Sequence, residues 1–321
     1  MHMSDALVSP EVAAAAGAAS LLLLGIAGRK VSRQRRDDDR LVPLMGVTGA
    51  FVFAAQMINF AIPGTGSSGH LIGGILLAAL LGPWAALLTL ASVILLQCLL
   101  FADGGLLALG CNLLNMAILS CLAAYPLVYR PIAGTNSTPR RIVAASLAAG
   151  IVALQLGALA VVLETELSGI TALPAGRFLL LMSPIHLSIG IGEGAATAAV
   201  LCAVRRYRPE LLRNDLPRPN RRKTVRLLAA FVGCALLLGE LFTWIASSRP
   251  DGLEWSVERL TGTTELAAPA DAPHATAAHL QQRTALLPDY DTSFAGLVGT
   301  GIVLLVIVGT ARLLRPTHKK P

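Results

Sequence analysis

Apolar residues fall in nine long stretches, at about 11–28, 41–61, 70–81, 83–101, 110–129, 142–163, 177–204, 224–247 and 294–314. None alternates with the period of two that a barrel strand requires. Most reach the roughly 18 to 20 residues that cross about 30 Å of hydrocarbon as a helix. Lipid offers no partner to backbone polar groups, so the pattern predicts helices and an all-α, polytopic membrane protein. The step from Leu71 to Phe101 reads either as one long helix or as two short ones broken at Gly82-Pro83, a dipeptide suited to a turn at a helix end.

Charge settles that choice at the level of sequence. Of the 26 Lys and Arg residues, 22 lie in four stretches, 29–40, 130–141, 205–226 and 312–320, each bordering an apolar run. Two crossings between Leu71 and Phe101 put all four on one side, as the positive-inside rule demands, whereas one crossing would export Arg130, Arg140 and Arg141. The expected topology is nine crossings in an inner (plasma) membrane, with the N-terminus outside and the C-terminus cytoplasmic. The net charge of +7 then reports topology and contact with membrane lipid, not nucleic acid. With 54% apolar residues, 14% charged and a mean hydropathy of +0.65, a water-soluble domain is excluded as the starting point.

Residues 11–27 are expected to form a retained helix rather than a cleavable signal, because Asp5 and Glu11 precede them and Arg29, Lys30 and Arg33 follow. The stretch 205–226 carries nine basic residues and three prolines. It divides the chain into a seven-helix module at 1–212, a cytoplasmic linker at 213–223, and a second module at 224–321, a two-helix transmembrane hairpin. The hairpin's outer loop, 248–293, has seven acidic against three basic residues. Its middle, about 262–285, is expected to be poorly ordered. Cys98, Cys111, Cys121, Cys202 and Cys234 all sit in apolar runs without C-x-x-C spacing and read as packing residues.

The candidate chemistry begins at Met1-His2. A bulky second residue favours retention of the initiator methionine, which leaves an α-amine, the His2 amide nitrogen and the His2 Nδ1 within one set of fused chelate rings. Such rings suit the planar geometry preferred by Ni(II) and Cu(II). The fourth ligand candidate is His70, in AIPGTGSSGHLIGG, a Gly- and Ser-rich loop on the same expected side that could dip into the bundle. Each histidine also has a plainer reading: His2 as a polar residue at a frayed end, His70 as a helix-start residue bonded to backbone. Asn59, Gln97, Asn112 and Asn115 are amides able to orient the imidazoles or to glue helices together. His186 and Glu193 share the seventh apolar run, where ionisable groups need a partner or a cavity; they read either as residues that support the ligands from behind or couple helices, or as plain buried hydrogen bonds. Gly46, Ala50 and Ala54 make one flat helix face for close packing. The chain has no G-x-x-x-x-G-K-[ST] and no H-E-x-x-H, so neither a P-loop nor a zinc-protease reading has support.

The opening MHMSDALVSP, the runs FVFAAQMINFAIPGTGSSGHLIGG and LLGPWAALLTLASVILLQCLLFADGGLLALGCNLLNMAI, and the later GIGEG resemble the M component of nickel and cobalt energy-coupling-factor (ECF) transporters. RPDGLEWSVERL and LLPDYDTSFAGLVGT look like the small N component, of PDGLE type, fused behind it. The resemblance implies an S-component bundle that captures Ni2+ or Co2+ as transported substrate through Met1, His2 and His70, with no organic cofactor. It implies separate partner chains, a coupling transmembrane T subunit and ATP-binding cassette subunits, and no enzyme activity in this chain. The fused hairpin is expected to touch the rim of the metal entrance. Two departures stand out: Met3 and Ala6 replace an aliphatic residue and a glycine, and the loop before His70 is slightly longer. The rival readings are a stand-alone channel or secondary carrier, and a membrane enzyme using His186 and Glu193 as an acid–base pair.

Overall fold

The computed structural model describes residues 1–38, 40–135, 137–212, 221–238, 247–288 and 295–313. These residues are helical almost throughout, as the apolar pattern predicted. The long helices are α1 (Pro10–Asp37), α2 (Leu41–Gln56), α4 (Pro83–Phe101), α5 (Leu109–Ala133), α6 (Pro139–Ser168) and α7 (Ala175–Tyr207), with the eight-residue α3 (Gly74–Leu81) before α4. After the linker come α8 (Arg221–Leu237), α9 (Gly252–Thr261), α10 (Ala272–Thr284) and α11 (Ala295–Leu313). Among the described residues five helices, α1 and α4 to α7, have the length and composition to cross a membrane.

Local chemistry accounts for the boundaries. Ser9 caps α1 by accepting from the Val12 N–H, with Pro10 at the first helical position, and Thr138 and Pro139 do the same for α6. Asp251 and Glu254 form a reciprocal capping box at the start of α9. The break at Gly82-Pro83 falls where the charge argument put it. Yet α3 rises only about 12 Å against about 28 Å for α4, so it is a half-length helix completed by irregular chain.

Two expectations need correction. The second apolar run was drawn to residue 61, but α2 stops at Gln56. The chain then makes a two-residue antiparallel ladder, β1 (Phe60–Ala61) against β2 (Ser68–Gly69). The turn glycines in PGTGSSGHLIGG favour this over continued helix. The segment 262–285 was expected to lack order, but α10 fills 272–284, with the Asp271 side chain accepting from the His274 N–H and Pro273 in the first turn. Low hydrophobicity concealed a helix that docks on the rest of the protein through a few polar contacts. Of the predicted hairpin, residues 239–246 and 314 lie outside the described residues, as do most of the linker and positions 289–294.

Helices α6 and α7 pack backbone to backbone. A Cβ at Gly150 would stand 2.8 Å from the Gly190 carbonyl oxygen, and one at Gly194 2.5 Å from the Leu147 Cα. In lipid, where apolar side chains gain little by leaving their surroundings, such close approach supplies the dispersion that holds helices together. α2 is covered by the C-terminal region. Phe51 meets Phe231 of α8 edge-on at 5.4 Å, and α11 approaches so closely at Gly299 that a Cβ there would strike Phe53. The flat face around Ala50 and Ala54 is thus buried within this chain.

Candidate metal centre

The N-terminal segment lies across the end of the bundle in a cradle made by the FADGGLLALG turn. Asn112 grips Met3 in both directions: its Oδ1 accepts from the Met3 N–H at 2.7 Å and its Nδ2 donates to the Met3 carbonyl at 3.1 Å. The Gly105 N–H also donates to that carbonyl at 2.9 Å, and the Ala108 N–H donates to the Asp5 carboxylate at 2.9 Å. Gly105 sits so close to Asp5 that any Cβ would collide with it. These contacts fix where Met1 and His2 can be.

His70 is brought in by the β1–β2 ladder. Glu193 of α7 reaches into the turn beyond it, and its two carboxylate oxygens accept from the Ile72 and Gly73 N–H groups, each at 2.8 Å. The Gln56 amide donates to the Ile72 carbonyl at 2.9 Å. The His70 Nδ1 lies 3.1 Å from the Leu71 carbonyl oxygen, which can only accept. That bond places the proton on Nδ1 and leaves the Nε2 lone pair directed at the Met1 amine, 3.2 Å away.

The loop that begins at Ser247 completes the arrangement. Arg249 and Pro250 accept from Ser68 through their carbonyls, the Ser68 N–H to Pro250 at 2.8 Å and the Ser68 hydroxyl to Arg249 at 2.7 Å. The Trp255 indole donates to the Thr65 carbonyl at 3.0 Å. This docking puts the Asp251 carboxylate in an ion pair with the Met1 amine. Burial alone would raise the Asp251 pKa, but the adjacent amine, His70 and the bonds it accepts hold it well below the usual carboxylate range. A side chain at Gly252 would crowd Ile185 and the His186 ring, at 2.8 and 3.0 Å from its Cβ, so only glycine lets Asp251 come this close.

His2 takes the other side of the segment. Its Nδ1 stands 3.0 Å from the Asp103 carboxylate, and its ring stacks on His70 with centroids 5.4 Å apart. The His2 Nε2 is buried without a hydrogen-bond partner. A cavity of about 10 Å³, room for about one water-sized sphere, lies among Met1, His70, Ile72, Leu154, Ile189 and Asp251. A larger one of about 510 Å³, lined by His2, His70, Asp103, Asp251 and Glu254 among others, adjoins it. Among the described residues no group of three or more His, Cys, Asp or Glu side chains could hold a metal ion.

The structure therefore brings Met1, His2 and His70 together. The amides predicted to orient the imidazoles are engaged elsewhere. Asn112 holds the Met3 backbone, and Asn115 donates to Glu164 and to the Met3 sulfur. Gln97 donates to Gln56 and so steadies the His70 turn indirectly. Asn59 lines the larger cavity and its carbonyl accepts from Ser247. His186 donates from Nδ1 to the Met182 carbonyl and packs beside Gly252. The sequence reading missed Asp103 and Asp251. The D-x-x-E spacing of Asp251 and Glu254 signals a helix start, but nothing local signals a partner 250 residues away.

Residues 2–211 match the family described as the cobalt uptake substrate-specific transmembrane region, and residues 225–316 match the PDGLE domain. A putative fused nickel transport protein NikMN of Archaeoglobus fulgidus is 32% identical, covering 98% of this chain and 99% of its own. The fused nickel transport protein NikMN of Rhodobacter capsulatus is 30% identical over 98% of this chain and 95% of its own. The crystal structure of a transition metal transporter superposes with a TM-score of 0.56 at 32% identity, over 64% of this chain and 93% of that one. The chain accordingly belongs to the cobalt uptake substrate-specific transmembrane family, as a fused NikMN-type protein of nickel and cobalt transport that carries a C-terminal PDGLE domain.

Proposed function

We propose that this chain is the substrate-binding membrane subunit of an ATP-driven, ECF-type importer, and that it captures Ni(II), or Co(II), with nitrogens of its own N-terminus. The ligands are the Met1 amine, the His2 amide and Nδ1, and the His70 Nε2. ATP hydrolysis belongs to partner chains, and the N-terminus faces outward. The observation that carries this reading is the 3.2 Å separation of the Met1 nitrogen from the His70 Nε2, 69 residues away in sequence. Two cis nitrogens on a planar ion with bonds of about 2.0 to 2.1 Å stand about 2.9 Å apart. Amine and imidazole are thus spaced almost as an ion would hold them.

Closing the cage requires His2 Nδ1 to leave Asp103 and the amine to leave Asp251. The charges favour that exchange. Before an ion arrives, an ammonium faces the Asp251 and Asp103 carboxylates, a sum of −1. With the ion bound, +2 is offset by a deprotonated amide and the same two carboxylates, again −1. One divalent ion replaces two protons without changing the buried charge, so the exchange carries no added cost in a low-dielectric site. A nitrogen set also favours nickel over cobalt.

His2→Ala, or one residue added ahead of Met1, removes ion capture while the protein still inserts and folds; unchanged uptake by either variant refutes the site. Calorimetry in buffers of different ionisation enthalpy reads the proton count directly, with two released per ion expected.

A further inference from the structure

The first residues alternate in their surroundings. His2 and Ser4 line the larger cavity, whereas Met1 and Met3 are turned inward, 4% and 0% exposed. Behind Met3, α5 supplies Cys111 and Asn115, and α6 supplies Glu164, all buried. The Asn115 Nδ2 donates to the Glu164 Oε2 at 2.7 Å and to the Met3 sulfur at 3.4 Å, and Cys111 lies in the electrostatic neighbourhood of Glu164. The Glu164 Oε1 and the Asn115 Oδ1 are both buried with no partner. The bond between the two side chains keeps these orphan oxygens in one neighbourhood, and both are acceptors. Buried acceptors without a donor are normally satisfied by a water or a cation.

We propose that this cluster is a second metal site, which takes one divalent transition-metal ion between the Met3 Sδ, the Cys111 Sγ, the Glu164 Oε1 and the Asn115 Oδ1. On binding, the Cys111 S–H bond breaks, a sulfur–metal bond forms, and the proton passes to solvent. Carboxylate and thiolate then balance the +2 charge. The mixed sulfur and oxygen donors suit a borderline ion and impose no planar geometry, unlike the nitrogen cage. The site shares no donor atom with that cage, so either can exist without the other.

Elemental analysis of the full chain, saturated with Ni(II) in detergent and freed of excess ion, tests this. Two ions per chain are expected, falling to one when a residue is added ahead of Met1. None should be left when Glu164→Gln and Cys111→Ser are combined with that extension. X-ray absorption on the extended chain should find sulfur beside its one ion, with one sulfur fewer in Met3→Leu, a volume-conserving change that keeps the fold. An extended chain that binds no ion, or an ion ringed only by nitrogen and oxygen, overturns the proposal. An extended chain that still binds two ions supports it and sinks the amine cage instead.

Discussion

The two segments that meet at the Met1–His70 contact are held by unlike means. The His70 turn is anchored from inside the bundle by a buried carboxylate, with both oxygens of Glu193 taken up by adjacent N–H groups. The N-terminal segment is held by the Asn112 amide and backbone bonds at Met3, by the Asp5 carboxylate accepting from the Ala108 N–H, and by the ion pairs of Met1 with Asp251 and of His2 with Asp103. Hydrogen bonds to a charged group contribute about 1.5 to 3 kcal/mol, those between neutral groups about 1. The Glu193 bonds do not compete with an ion, whereas the proposed cage replaces the ion pairs of Met1 and His2, so His70 is expected to stay in place while Met1 and His2 exchange partners.

Breaking the rigid side should have the largest effect. Glu193→Gln substitutes an N–H donor for one of two acceptors and points it at a backbone N–H. A loss of about 3 kcal/mol in unfolding free energy is expected. Ion affinity should fall about 10- to 100-fold, as when a group orienting a ligand is removed. Chemical unfolding in detergent and Ni(II) titration measure the two; affinity within twofold of wild type would mean that the His70 turn holds its shape unaided. The same result bears on the enzyme reading, since Glu193 is committed to backbone N–H groups and has no free oxygen for acid–base work.

On the exchangeable side, Asn112→Ala removes two neutral bonds, about 2 kcal/mol in the docking of residues 1–4. The expected result is weaker ion binding with unfolding little changed, because the segment frays without disturbing the helices. Hydrogen exchange at Met3 and Asp5 reports the fraying. A global loss of stability, with the segment still protected, would reverse the assignment of rigid and exchangeable parts. A smaller effect is expected from Gly252→Ala, whose Cβ crowds Ile185 and His186. An overpacking cost of about 1 kcal/mol should loosen the loop carrying Asp251 and speed proteolysis between α9 and α10.

How much of this was legible in the sequence follows from range. The helices, their breaks and the triad Met1, His2 and His70 rest on apolar periodicity, charge placement and the chelating chemistry of an amine beside an imidazole, all local properties. The positions of Asp251, Asp103 and Glu193 against that triad come from tertiary docking, and neighbouring residues carry no trace of it. The amides were singled out because polar groups in apolar runs need partners, and that rule held. The partners were backbone and side-chain groups of Met3, Gln56 and Glu164 rather than imidazoles, and residue type alone could not choose among them. α10 was missed because its docking depends on polar contacts such as His274, which hydropathy does not register.

The smallest expected effect is also the most selective. His274 of α10 is buried against the N-terminal segment, with Nε2 3.1 Å from the carbonyl oxygens of both Asp5 and Val8 and Nδ1 2.7 Å from Asp271. Desolvation by itself would lower its pKa, but the Asp271 carboxylate and the two carbonyls accept from the ring and raise it above 6.5. The His274 backbone N–H, and after it this side-chain pairing, lower the Asp271 pKa. A raised histidine pKa gives stability that is complete below 6.5 and is lost as pH climbs through the folded-state value, and the Asp271 share fades only as pH falls below about 3.8. His274→Gln keeps an N–H for the carbonyls and removes the charge. Between about pH 5 and pH 8.5 the melting-temperature gap between wild type and variant should be widest at the acidic end and close toward the alkaline end. A gap that stays constant with pH would show that α10 is held by shape alone, and the outer loop would then add no acid sensitivity to its grip on the N-terminal segment.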